Sequence, residues 1–413
     1  MKDNPFFTLD DFNFTDKTVL LRVDINSPID PTTKTILDDT RMRAIIPTIQ
    51  DLDGAKIVIL AHQSKPGKSD FTPLKEHADM LSNVLRRPVK YVDSLFDSRA
   101  LDAIKAMKPK DIILLENTRF YSEDVALKDK KPEVQAKSHI VTRLSTVANY
   151  YVCDAFAAVH RSQPTLIGFS ETMPAIAGRL MESELVTLSK LLVKDGGLTA
   201  ILGGAKVDDS IEVMKYMLEN NMLAEALTGG VVANIFLKAK GYDLGKPNDE
   251  FLEKEVPESK DLINAAKELL DKYPDKIRLP SDLAINKGGE RVRISLDMLP
   301  AEYPIYDIGI ETSVEYSQRI ASAKRCMLNG PMGVFELEEF SFGTKDILEA
   351  MAESECFSVL GGGHTAAAVE KFNLGQEMDH VSTGGGALIN FLTGKELPVV
   401  EALKRSKAKF SKQ

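Results

Sequence analysis

Short apolar, β-rich runs alternate along this chain with longer segments of helical period, and that alternation constrains the fold more than any other feature. Parallel strands need long crossover connections, usually helices, so the pattern predicts open parallel sheets rather than hairpin-built ones. In the first half the runs go from Val19 to Ile25, Lys56 to Ala61, Ile112 to Glu116 and Tyr150 to Ala155. In the second they go from Thr199 to Leu202, Ala226 to Thr228, Arg325 to Leu328 and Cys356 to Leu360. A length of 413 residues exceeds what one hydrophobic core organises. The expected fold is therefore α/β, with two doubly wound, Rossmann-like parallel-sheet domains at 1–177 and 196–395. A connecting helix is expected over 178–195, because Met181, Leu185, Leu188 and Leu192 repeat at helical spacing and Gly196-Gly197 closes the segment. The tail, 396–413, is expected to pack back toward the N-terminal domain.

Composition narrows the class of function. Hydrophobic residues at 43% and charged residues at 27% are those of an ordinary globular chain, and a net charge of −9 argues against nucleic-acid binding, which needs a cationic surface. The N-terminal residues carry no export signal, and no apolar run reaches the roughly 18 residues that span a bilayer, so the expectation is a cytoplasmic protein with no membrane partner. Cys153, Cys326 and Cys356, odd in number and set in apolar runs, read as reduced core thiols. The histidines show no metal-ligand spacing, which argues against structural zinc and leaves the ligands of any other metal unknown.

In open parallel sheets ligands bind beyond the carboxyl ends of the strands. After the runs of the first half come Asp24, Ile25 and Asn26; His62, Gln63, Ser64 and Lys65; Arg119; and His160-Arg161, with Arg41 and Arg43 following the first run. Arginine's planar fork suits phosphate and carboxylate, so cations recurring at successive strand ends predict a pocket for a small anion. The second half offers glycine instead: Gly203-Gly204 with Lys206, Gly229-Gly230, Asn329-Gly330-Pro331-Met332-Gly333, Gly361-Gly362-Gly363-His364-Thr365 and Gly384-Gly385-Gly386. Glycine turns that open helices let backbone N–H groups approach a polyphosphate, which predicts a nucleotide site. Neither a Walker sequence nor a Gly-x-Gly-x-x-Gly fingerprint is present. A solute-binding protein that closes on an anion without chemistry would not need such loops in one half only.

Leu20-Leu-Arg-Val-Asp-Ile-Asn26, Asp38-Asp-Thr-Arg-Met-Arg43, Leu114-Leu-Glu-Asn-Thr-Arg-Phe120, Ala200-Ile-Leu-Gly-Gly-Ala-Lys-Val207 and Asn329-Gly-Pro-Met-Gly-Val-Phe-Glu336, in this order, resemble phosphoglycerate kinases, archaeal ones in particular. The resemblance implies reversible transfer of the 1-phosphoryl group of 1,3-bisphosphoglycerate to ADP, giving 3-phosphoglycerate and ATP, by a hinge-bending enzyme of two lobes; a monomer is expected rather than a homodimer. Another carboxylate kinase of the same two-lobed architecture is the alternative. By position, Asp24, Ile25, Asn26, Arg41, His62, Gln63, Ser64, Lys65, Arg119 and Arg161 would form the triose-phosphate pocket, with Arg41 and Lys206 catalytic. Gly203, Gly204, Lys206, Asn329, Glu336, Gly362, Gly363, His364 and Thr365 would bind the nucleotide, and Mg2+ would ride mainly on its phosphates. The chain departs from the family at Lys65, Gln163, Ser210 and His364, the last standing where a magnesium-contacting aspartate is usual.

Overall fold

The computed structural model describes residues 4–411. The runs of the first half become strands of a seven-stranded sheet formed by β1 (Phe7–Thr8), β2 (Thr18–Val23), β3 (Lys56–Leu60), β4 (Val89–Val92), β5 (Ile112–Leu115), β6 (Tyr150–Asp154) and β7 (Ala175–Ala177), in the order β1-β7-β6-β2-β3-β5-β4. Every pairing is parallel. Val19, Leu20, Leu21 and Val23, with Ile57, Val58, Ile59 and Leu60, are wholly buried, so these strands are apolar on both faces instead of alternating. Each such side chain contributes roughly 1.5–3 kcal/mol of burial.

The second half builds a six-stranded parallel sheet from β8 (Leu198–Leu202), β9 (Leu223–Thr228), β10 (Ile277–Arg278), β14 (Arg325–Asn329), β15 (Phe357–Gly361) and β16 (His380–Val381), ordered β10-β9-β8-β14-β15-β16. Sequence reasoning missed a second, antiparallel sheet here, made by β11 (Asp282–Lys287), β12 (Glu290–Ser295) and β13 (Ile305–Ile308). Its hairpin turns on Gly288 and Gly289, with φ of 65° and 100°, values that glycine reaches without strain. In both parallel sheets the chain first winds one way and then the other. The reversals fall between β6 and β2 and between β8 and β14, where crevices form at strand ends.

The chain divides into two units, one of Met1–Val186 with Glu396–Gln413 and the other of Thr187–Lys395. The boundary falls inside the helix Arg179–Ser189, which is shorter than the expected 178–195. Beyond Ser189 the N–H groups of Lys190, Leu191 and Leu192 reach back only three residues, so the α-helix tightens and ends before Gly196. The tail forms the helix Pro398–Phe410 on the first unit, where Ser406 Oγ accepts a 2.7 Å bond from Ala175 N of β7 and Lys409 pairs with Glu171 at 2.9 Å.

The N-terminus of the Arg179–Ser189 helix is anchored by Asp154, the last residue of β6. Met181 N donates to Asp154 Oδ1 at 2.9 Å and Thr48 Oγ1 to Oδ2 at 2.6 Å, while Thr48 Oγ1 accepts from Arg179 N at 2.8 Å. A Cβ on Gly178 would lie 2.3 Å from Asp154 Oδ1, so glycine is required there. Burial pushes the Asp154 carboxyl up to about 6 against these donors. A pKa above the unfolded value means that the native state holds a proton the unfolded chain has released; stability from this group is present below about pH 4 and lost as pH rises through about 6. Urea unfolding from pH 4 to 7 is expected to show wild type losing up to about 3 kcal/mol relative to Asp154→Asn. A constant difference between the two proteins would contradict this assignment.

Candidate active site

In the first unit, adjacent strands β6, β2, β3 and β5 deliver Arg161, Asp24, His62 and Arg119 to one edge of the sheet. Asp24 is its carboxylate. Oδ1 binds Arg41 Nη1 at 2.7 Å and the Asn26 N–H at 3.0 Å. Burial opposes ionisation of Asp24, but the positive groups around it, Arg41 and Arg22 among them, and the Asn26 N–H hold its pKa below the ordinary carboxylate value. Asn26 Oδ1 in turn accepts from Ser64 N at 2.7 Å, and the Ser64 carbonyl accepts from Arg119 Nη1.

His62 lies at the centre of the cluster and is 2% exposed. Arg22 Nη2 approaches its Nδ1 at 3.1 Å and Arg161 Nη1 its Nε2 at 3.2 Å. Burial, reinforced by Arg22, Arg119 and Arg161, holds its pKa well below the usual histidine value, so the ring is neutral at physiological pH. A neutral imidazole has one accepting nitrogen and guanidinium can only donate. Only one of the two arginines can therefore be hydrogen-bonded to His62, and the other is left facing an N–H. The arginines also disfavour one another's charge: Arg119 is lowered to about 10 by burial and by its neighbours Arg161 and Arg22, and Arg161 is lowered chiefly by burial. Arg22, Arg41, Arg119 and Arg161 thus meet with Asp24 as the carboxylate in direct contact, and an anion would relieve both the repulsion and the missing bond.

Two residues of the expected triose pocket, Ile25 and Gln63, have their side chains engaged elsewhere. Ile25 is fully buried in the hydrophobic core, which leaves only its backbone. Gln63 is buried and its amide is taken by Ser27 N and O, at 3.1 and 3.0 Å, and by His77 at 3.0 Å. Lys65 is exposed and makes no bond to the cluster. Sequence reasoning missed Arg22 as a member of the site, since a charged residue inside a strand gives no local sign of being buried. At 1% exposure it is held by the Val23 carbonyl and by Thr165 Oγ1 at 3.4 Å. Gln163 Nε2 donates to the Asp124 carbonyl at 2.8 Å.

In the second unit a cavity of about 690 Å³ opens at the ends of β8, β14 and β15, lined by Gly203, Gly204, Lys206, Asn329, Glu336, Gly362, Gly363, His364 and Thr365. All the expected nucleotide residues therefore meet, but the glycines divide into two kinds. Gly330 has φ of 88° and a Cβ there would lie 2.2 Å from the Gly203 carbonyl oxygen, so these two turns pack backbone on backbone. Their N–H groups are already engaged: Gly203 to Asn329 O at 3.0 Å, Gly204 to Pro331 O at 2.7 Å and Gly330 to Thr365 Oγ1 at 2.8 Å. These turns therefore build the cavity by close backbone packing instead of offering donors. The helix Gly363–Lys371 is different. Its first internal bond is donated by Ala366 N to Gly362 O, which leaves the N–H groups of Gly363, His364 and Thr365 at its positive end. A Cβ on Gly363 would meet nothing within 4 Å.

Lys206 is exposed at the head of the helix Val207–Glu219. His364 and Glu336 are mostly exposed and stand 3.8 Å apart, and Thr365 is a buried clamp rather than a free hydroxyl. Ser210 is buried with an unpartnered Oγ and does not line the cavity. The cavity lining also has an apolar part, made of Val231, Leu283, Pro304, Ile305, Val334 and Leu337. Leu283 and Ile305 come from the antiparallel sheet that the sequence reading missed; Gly288-Gly289 between alternating runs was the available signal. Among the described residues no helix is long and apolar enough to cross a membrane.

A family model described as phosphoglycerate kinase matches residues 9–395. Phosphoglycerate kinases of Methanothermus fervidus and Methanococcus maripaludis are 50% and 51% identical to this chain, over 98% and 97% of it and 99% and 98% of their own lengths. Among solved structures, phosphoglycerate kinase from Pyrococcus horikoshii OT3 superposes with a TM-score of 0.89 at 45% identity, covering 98% of this chain and 100% of its own. That from Coxiella burnetii gives 0.80 at 32% identity, covering 97% and 99%. A cationic strand-end site in one unit and a glycine-lined cavity in the other agree with this likeness along the whole length: the chain belongs to the phosphoglycerate kinase family.

Proposed function

We propose that the protein transfers a phosphoryl group between ATP and the carboxylate of 3-phosphoglycerate, and that the residues described above divide the task. The observation that carries this reading is the surplus of guanidinium over carboxylate around His62. Each charge-assisted hydrogen bond to a phosphate or carboxylate contributes about 1.5–3 kcal/mol, so Arg119 and Arg161, with Arg41 beside them, suffice to hold a small multiply charged triose. Arg22 and His62 act from within, orienting Arg161. Arg41 is one-third exposed and uses one nitrogen on Asp24, leaving donors for the transferring group.

The acceptor carboxylate is already ionised near neutral pH, so no general base is required. What remains is positioning and neutralisation of charge, the main demands of phosphoryl transfer. Lys206 and the N–H groups heading the Gly363–Lys371 helix face the nucleotide phosphates in this reading, Glu336 the ribose, and the apolar wall the base. Mg2+ would be held chiefly by the phosphates and water, with the carboxylate of Asp209 in the same cavity lining as Lys206. A single chain supplies both sites, which suits a monomer, and buried free thiols at Cys153, Cys326 and Cys356 suit the reducing cytoplasm.

Purified protein given ATP, Mg2+ and 3-phosphoglycerate should release ADP, monitored by a coupled assay, only when 3-phosphoglycerate is present; no release would overturn the reading. Arg41→Ala should lower kcat by about a hundredfold or more with little change in KM for the nucleotide, as the loss of a transition-state contact does. An unchanged kcat would remove Arg41 from the reaction.

A further inference from the structure

Ser64 is held in a conformation that serine ordinarily avoids. Its φ is 55°, in the left-handed region that a Cβ makes unfavourable. Three bonds fix it there. Its N–H donates to Asn26 Oδ1 at 2.7 Å, its carbonyl accepts from Arg119 Nη1, and its Oγ donates to Asp70 Oδ1 at 2.6 Å. The first two use backbone that any residue would offer; only the third needs the hydroxyl. A hydrogen bond to a carboxylate is among the stronger ones, so this one offsets the strain. The residues flanking Asp70 are tied down in turn: Ser69 O accepts from Lys34 Nζ at 2.9 Å, and the ring of Phe71 meets that of Phe120 edge to face at 4.8 Å. Asp70 is thus a half-buried carboxylate on a fastened loop, and the phosphoryl transfer described above gives it no task.

We propose that Asp70 is a positioning residue of the triose site. Through Ser64 Oγ it holds the Ser64 peptide in the orientation that docks Arg119 Nη1 on the Ser64 carbonyl, and so aims the remaining N–H groups of Arg119 at the anion. The inference rests on the assignment of Arg119 to the triose. Asp70 acts through Ser64 and Arg119 and not on the substrate, since a carboxylate in direct contact would repel a negatively charged triose. Without the bond from Ser64 Oγ, Ser64 relaxes toward negative φ and its carbonyl turns away. Arg119 then keeps its charge but loses its aim, which weakens the directional part of anion binding and leaves the long-range attraction in place.

Asp70→Ala and Ser64→Ala break the bond from opposite ends; each should raise KM for 3-phosphoglycerate by about five- to tenfold and leave KM for ATP within about twofold. Asp70→Asn keeps an acceptor for the hydroxyl and should hold the triose KM within about twofold of wild type. In Ser64→Gly the glycine takes the left-handed turn unaided, so adding Asp70→Ala should change the triose KM by less than about twofold. The same holds for adding it to Arg119→Met, because the route from Asp70 ends at that guanidinium. An unchanged triose KM in either alanine variant, an equal rise in KM for both substrates, or an effect of Asp70→Ala that persists in full in either background would overturn the proposal while leaving the kinase reading intact. Thermal melts by circular dichroism show which variants are folded; should Asp70→Ala unfold, Ser64→Ala tests the same bond. A wild-type protein that releases no ADP with 3-phosphoglycerate would overturn the kinase reading itself, and this inference with it.

Discussion

A parallel sheet brings the carboxyl ends of all its strands to one edge, and whatever follows each strand is forced into company there. In the first unit the company is cationic. Arg119 and Arg161 arrive beside the buried Arg22 and about a neutral His62 that can accept from only one of them. Such crowding is unfavourable without an anion and is tolerated because the backbone beneath it is tied down: Gln63 to Ser27 and His77, Asn117 to Gln63 and Thr72, Asn26 to Ser64. The buried polar network contributes rigidity, and the strained surface above it contributes affinity.

The second unit answers the same geometric constraint with backbone instead of charge. Where β8 and β14 end side by side, Gly203 and Gly330 approach so closely that their own carbonyl and Cα atoms fill the space. This contact fixes the floor of the cavity, while the open head of the Gly363–Lys371 helix is left to meet a ligand. One residue type thus performs two tasks within one site, building at one turn and binding at the next.

That division marks what could be read from the residue order alone. The strands were legible because β-branched runs buried on both faces have few alternatives, and the arginines at strand ends were legible because recurrence at adjacent strands implies convergence. Gly330 and Gly363 look alike on the page; only coordinates show which has a partner backbone. Arg22 gives no local sign of being buried, and the order of residues does not show that Asp70 bonds Ser64. Gln63 was expected at the ligand but is consumed by Ser27 and His77, a long-range pairing that sequence spacing does not reveal. The antiparallel β11-β12-β13 sheet was overlooked although its Gly288-Gly289 turn signals a hairpin, because its strands are only half apolar.

The tail helix Pro398–Phe410, with Ser406 bonded to β7, means that the first unit is assembled from both ends of the chain while the second is continuous in sequence. During synthesis on the ribosome, every residue of the second unit exists before the first unit has its last helix. The unit whose strands are translated first is thus completed only after the second has been synthesised, and Ala175 N has no Ser406 to bond until then.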